Sequence, residues 1–226
     1  MKNQTRIVEA LRRLSLETRR GRYKQAPVYQ GPIEGQRTPF RTLVGCLIST
    51  RTLDEQTTRI CRKLFAVVSS PESLLSLPDA CLEKILYGAG FYRQKTKQLK
   101  KLAQMIIDKG GVPRTREELL DIPGIGPKCA NIVLAASFGR PVIAVDIHVH
   151  RISNRMDWVR TATPEKTEQA LTPNVPVGWR RRVNVLLVSH GQLICKPIGP
   201  RCEECSVSAY CRRRGVGRRA SPTSGG

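Results

Sequence analysis

The sequence has no apolar run approaching the ~18–20 residues needed to cross a bilayer, which excludes a membrane-spanning helix. The stretch MKNQTRIVEALRRLSLETRRGR lacks the apolar centre of a secretory signal. Its arginines would suit a transit peptide, but Glu9 and Glu17 would not. Ile7, Val8, Leu11 and Leu14 recur at helical spacing, so an ordinary first helix of a cytoplasmic protein is expected. Acidic residues are scarce, with Asp+Glu 18 against Lys+Arg 39, for a net charge of +21. A field of that sign and size selects polyanionic partners, nucleic acid first; an anionic membrane surface is disfavoured because nothing offers a long apolar anchor. There is no internal repeat. Only Pro141–Val145 is apolar and β-branched, and it has no convincing second strand to pair with, so it reads as an extended connector or a helix entry.

What is present is helix after helix. The length of 226 residues suits one large domain or two small lobes. Thr38-Pro39, Ser70-Pro71, Leu77-Pro78 and Thr163-Pro164 are helix openings, with proline where a missing N–H costs nothing. Asp54 is a candidate cap for the next helix. Lys95 to Asp108 is amphipathic, with Leu99, Leu102 and Ile106 on one face and Gly110-Gly111 at its end. Thr115 to Glu118 forms a capping box for a short helix through Leu120. A helix from Pro127 to about Ser137 is apolar nearly all round and should be central. Val183 to Val188 belongs to another that ends near Gly191. Residues 213–226 have no periodicity and are expected to be disordered. The fold class is all-α.

Four features carry chemistry. In Ile122-Pro-Gly-Ile-Gly-Pro-Lys128, Gly124 and Gly126 allow a tight turn and a close approach of backbone to a partner. The N–H groups opening the next helix suit a phosphate. Lys128 either touches a phosphate or acts as a nucleophile. Chemistry requires a neutral amine, and both burial and the positive end of a helix dipole favour that form. Asp146, in Val145-Asp-Ile-His148, is a helix N-cap, a catalytic carboxylate, or both. Cys195, Cys202, Cys205 and Cys211 fall within seventeen residues, a ligand pattern for zinc or a [4Fe–4S] cluster; one short loop with a single Cys-x2-Cys favours the cluster. The other cysteines, Cys46, Cys61, Cys81 and Cys129, are expected to be small buried apolar residues.

In kind, order and spacing, the turn with its lysine, the Val145-Asp146 pair with His148, and the four-cysteine loop resemble the endonuclease III branch of the helix-hairpin-helix DNA glycosylases. The match runs from about Thr38 to Cys211. The resemblance implies a two-lobed fold, with a six-helix barrel lobe over 32–140. A second lobe, made of 1–31 and 141–226, would hold a [4Fe–4S] cluster. It implies double-stranded DNA bearing a damaged or abasic site, bound across the groove with the damaged base flipped out. It implies that Lys128 attacks the deoxyribose C1′, that the Schiff base permits β-elimination, and that Asp146 activates the lysine and stabilises charge. Its substrates are oxidised pyrimidines such as thymine glycol. The lysine separates this branch from the adenine-mismatch glycosylases. A monomer and a nucleoid-associated, prokaryotic setting are expected.

The chain departs from the family's pattern at four places. Arg51 stands where a glutamine usually helps fill the gap left by the flipped base, and Phe91 where a leucine usually wedges into the stack; a phenyl ring can do the same. Pro127 replaces an arginine and Ile147 a threonine, each removing one polar group. Arg51, Phe91, Gly124, Gly126 and His148 are thus the expected DNA contacts. The competing readings are a damaged-DNA-binding paralogue with little catalysis and a monofunctional glycosylase.

Overall fold

Helices begin where the sequence supplies caps. The Thr38 hydroxyl accepts from the Arg41 amide at 3.2 Å, with Pro39 in the first helical position. Ser70, Thr115 and Thr163 cap their helices in the same way. Each such bond stabilises its helix by about 1 kcal/mol. The computed structural model describes residues 3–23 and 38–217. All regular elements among them are helical: α1 (Asn3–Arg19), α2 (Pro39–Ser49), α3 (Asp54–Val67), α4 (Pro71–Ser76), α5 (Asp79–Leu86), α6 (Tyr92–Asp108), α7 (Arg116–Leu120), α8 (Pro127–Ser137), α9 (Ile147–Arg155), α10 (Pro164–Leu171) and α11 (Val177–Leu193). Short 3₁₀ turns span Thr172–Asn174 and Ser208–Tyr210.

Three expectations are corrected and one is extended. Asp54 is not a cap: Leu53 holds that position, and the Asp54 carboxylate accepts from the Gln192 amide on α11 instead. Cys81 is exposed, because α5 turns only Leu82 and Leu86 inward; Cys46, Cys61 and Cys129 are buried. Helix α11 starts six residues before Val183. Its first turns carry Arg180, Arg181 and Arg182, which hide the apolar period but are used structurally: Arg181 Nε donates to Ala135 O at 3.0 Å, and Arg182 donates to the Ser15 hydroxyl. Of the tail expected to be disordered, 218–226 lie outside the described residues, as does the expected 31/32 boundary. Residues 213–217 hold a turn, with the Arg214 amide donating to Arg155 O at 3.0 Å.

Buried apolar side chains form two clusters. One gathers Leu43, Leu47, Leu64, Leu99, Leu102 and Val133 from the helices between α2 and α8. The other joins Ile7, Leu11 and Leu14 of α1 to Ile152, Trp158 and Leu187 far along the chain. The segment 141–146 passes between them in extended conformation. Val142 and Ala144 face the first cluster, Ile143 and Val145 the second. This two-residue alternation is that of a strand, which explains the β-branched run. Its hydrogen-bond partners are side chains, however: buried Asn131 of α8 donates to Ile143 O at 2.8 Å, and buried Asn184 of α11 to Ala144 O at 2.9 Å. A lone extended segment satisfies its carbonyls without a sheet.

Candidate active site

The turn before α8 is built for a bare helix start. Ile122 and Ile125 are buried and anchor it, and the Ile125 amide donates to Ile122 O at 3.0 Å. Between them Gly124 takes φ 90°, a conformation a side chain resists. Gly126 is the N-cap and offers no side-chain acceptor, and Pro127 follows with no N–H to satisfy. The amides of Lys128 and Cys129 therefore open α8 without a side-chain cap, as an anion site requires. Lys128 is half-buried and has no hydrogen bond or ion pair among the described residues.

Asp146 closes the extended segment and caps α9. Its Oδ1 accepts from the amides of His148 and Val149, both at 2.9 Å. Oδ2 takes no part in the cap, so the carboxylate keeps one oxygen for other work. His148 is the second residue of α9. Burial pushes its imidazole pKa down against the opposing pull of Asp146. Its Nδ1 lies 3.1 Å from Arg151 Nη2, a donor only, so Nδ1 accepts and a neutral ring carries its proton on Nε2. Arg151 also donates to Cys195 O at 2.9 Å, tying this wall to the cysteine loop. The close fit of α9 on α11 requires Gly191, where a Cβ would stand 2.5 Å from His148 Nδ1.

Lys128, Asp146, Gly124, Gly126 and His148 all line one cavity of about 470 Å³. Thr50 and Thr52, at the end of α2, and Glu168 of α10 complete its rim. Arg116 holds Glu168 in a two-pronged pair, with Nη1–Oε1 at 2.8 Å, and bonds Asn131 at 2.6 Å. The cavity thus sits where the two apolar clusters meet, with an amine on one wall and a carboxylate on the other.

Residues 44–176 match the HhH-GPD superfamily of base excision DNA repair proteins. The chain is 44% identical over 184 residues to endonuclease III of Thermotoga maritima, covering 79% of this chain and 86% of that one. The chain belongs to the endonuclease III family. A solved non-covalent endonuclease III–DNA complex superimposes with a TM-score of 0.79 at 29% identity, covering 94% of this chain and 97% of the other. A trapped endonuclease III–DNA covalent intermediate gives the same figures. Endonuclease III relatives come from bacteria, plants and animals. No helix among the described residues is long and apolar enough to cross a membrane.

The two residues expected to form the DNA wedge, Arg51 and Phe91, are not in the cavity lining, although Thr50 and Thr52 on either side of Arg51 are. They stand side by side on neighbouring loops, with the guanidinium carbon 5.3 Å from the phenyl centroid. Both take left-handed backbone, φ 52° and φ 57°, without being glycine. Phe91 is 61% exposed and Leu53 80%. Sequence reasoning missed the residue beneath them, Lys95. Its signal was available, because positions 95, 99, 102 and 106 share the buried stripe of α6.

The endonuclease III family implies a cysteine-held cofactor, and the donor set here fits one. Cys195, Cys202, Cys205 and Cys211 are unpaired thiols that all line one small apolar cavity, walled also by Ile152, Met156 and Ile194. Among the described residues no group of three or more His, Cys, Asp or Glu is arranged to hold a metal ion. Backbone and side chain supply N–H donors to sulfur: the Arg213 amide to Cys211 Sγ at 3.3 Å, and Arg155 Nη1 to Cys195 Sγ at 3.5 Å. Hydrogen-bond donors to sulfur in an apolar pocket are compatible with a cysteine-held cofactor. Burial pushes the free Cys205 thiol up to about 11 and raises Cys211 as well.

Proposed function

We propose that the protein is a bifunctional DNA glycosylase and abasic-site lyase that removes oxidised pyrimidines from double-stranded DNA. The observation that carries this reading is the convergence of an unpartnered lysine and a half-committed carboxylate, from two different elements, on one cavity. Lys128 Nζ attacks C1′ of the deoxyribose. The C1′–N bond breaks and its electron pair leaves with the base, which takes up a proton. The amine then loses protons as the sugar ring opens to a Schiff base. Loss of a C2′ proton expels the 3′ phosphate by β-elimination and cuts the strand. Asp146, through Oδ2, takes the proton from Lys128 and stabilises positive charge at the sugar. The amides opening α8 and the turn at Gly124 and Gly126 hold the DNA backbone. Arg51 and Phe91 fill the space the flipped nucleotide leaves.

In the same reading the two apolar clusters are the cores of two lobes, 32–140 as a helical barrel and 1–31 with 141–226 as the second. Cys195, Cys202, Cys205 and Cys211 hold a [4Fe–4S] cluster that shapes a basic DNA-facing loop. The protein acts as a monomer in a prokaryotic, nucleoid-associated setting. Borohydride reduction tests the chemistry. The wild type should form a covalent adduct with an abasic or thymine-glycol duplex, and Lys128→Ala should not. Tight binding without an adduct would reject the lyase reading. A purified sample should be yellow-brown, absorbing near ~400 nm; a colourless protein containing one zinc would reject the cluster.

A further inference from the structure

Lys95 is 4% exposed, and buried lysines are rare unless paired. Among the described residues no carboxylate bonds it. Its three N–H donors meet three neutral oxygens: Ile48 O at 2.9 Å, Thr50 O at 2.6 Å and Thr52 Oγ1 at 2.8 Å. Two of these are carbonyls at the end of α2, where helical acceptors go unused and a cation is favoured. The third, Thr52 Oγ1, also accepts the Gly90 amide at 3.3 Å. Gly90 in turn lies so close to the other loop that a Cβ there would stand 2.2 Å from Arg51 O. The ammonium therefore ties the 48–52 segment to α6, whose N-cap is Phe91, and Thr52 Oγ1 carries the link on to Gly90; the adjoining Arg51 and Phe91 both sit in left-handed backbone. Such conformations persist only where the surroundings over-determine them.

We propose that Lys95 is a positioning residue: it locks the 50–53 and 87–91 loops together so that Arg51 and Phe91 form one preorganised wedge beside the cavity. It does not touch the reacting atoms. The inference rests on the function proposed above, in that the wedge acts on a duplex from which a nucleotide has been flipped. It separates two tasks that a general loss of structure would mix. A duplex needs its gap filled; an abasic site in single-stranded DNA has no stack to part and no opposite base.

The test is the ratio of borohydride-trapping rates on one abasic oligonucleotide, as a duplex and as a single strand. Lys95→Met keeps the length and apolar stem but removes all three bonds. The duplex-to-single-strand ratio should fall about 10- to 100-fold, the scale of a small misplacement of a contact group. Thr52→Val removes the shared acceptor without unseating the lysine; it should lower the ratio in the same direction and keeps the test valid if Lys95→Met folds poorly. In an Arg51→Ala/Phe91→Ala background, Lys95→Met should change the ratio little further. Equal losses on both DNAs, or full additivity with the wedge deletions, would overturn the proposal. If the wild type traps neither DNA, the lyase reading fails on its own. Affinity for a duplex with a tetrahydrofuran site then decides the matter: weakened by Lys95→Met supports positioning, unchanged rejects it.

Discussion

Two lysines each occupy the first turn of a helix, and their surroundings make them opposites. Lys95, the fourth residue of α6, has its amine saturated by three oxygens. Lys128 opens α8 half-buried, with no partner among the described residues. The helix dipole disfavours a cation at both places. At Lys95 the carbonyls ending α2 offset that penalty and turn the side chain into a clamp. Lys128 has no such partners among the described residues, and it shares a cavity lining with the Asp146 carboxylate. Position in a helix does not decide whether a lysine is structural or reactive; the number of oxygens around its nitrogen does.

The contrast breaks most sharply at Lys128→Ala, which should abolish the trappable adduct while duplex binding persists in a band-shift assay. Asp146 comes next, because its Oδ1 serves the α9 cap while the proposed chemistry uses Oδ2. Asp146→Asn keeps a capping oxygen and should leave stability nearly unchanged while single-turnover base release falls about 10²- to 10⁴-fold. Asp146→Ala should lose the same rate and also about 1 kcal/mol in denaturant unfolding. If both variants lose equal stability, the cap is not the role of Oδ1. Gly124→Ala forces a side chain into φ 90° and toward Gln98. It should cost about 1 kcal/mol and weaken non-specific duplex binding.

The smallest effect concerns Lys95 itself. Burial lowers its pKa from an ordinary value of 10.5 to about 8. Between those values the unfolded chain binds more protons than the folded one, so stability rises with pH across that window. Melting temperatures taken through the same range should show that rise in the wild type and not in Lys95→Met. Parallel curves would mean that the three oxygens replace water around the ammonium completely.

Much of this was legible because it is local. Thr-Pro and Ser-Pro caps, the glycine turn and the cysteine spacing each act over a few residues, and the helices start where those signals place them. The family was legible too, since three motifs in order are hard to meet by chance. What escaped was pairing across the fold. Lys95 stood in plain view on the stripe of Leu99, Leu102 and Ile106, but its meaning depends on carbonyls more than forty residues away. The arginines that begin α11 mask its apolar period, and they are donors to α8 and α1. Cys81 was assigned by residue type, and only the inward direction of Leu82 and Leu86 reveals its exposure.

Asn131 lies one turn beyond Lys128 on α8, and its amide holds Ile143 O, three residues before Asp146. The spacing of amine and carboxylate is thus referenced to one buried side chain within the stretch 127–147. The wedge loops at 50–53 and 87–91 lie outside that circuit. Catalytic spacing and gap filling are accordingly modular. In the function proposed above, the loops that would fill the gap can therefore be changed without moving the amine or the carboxylate.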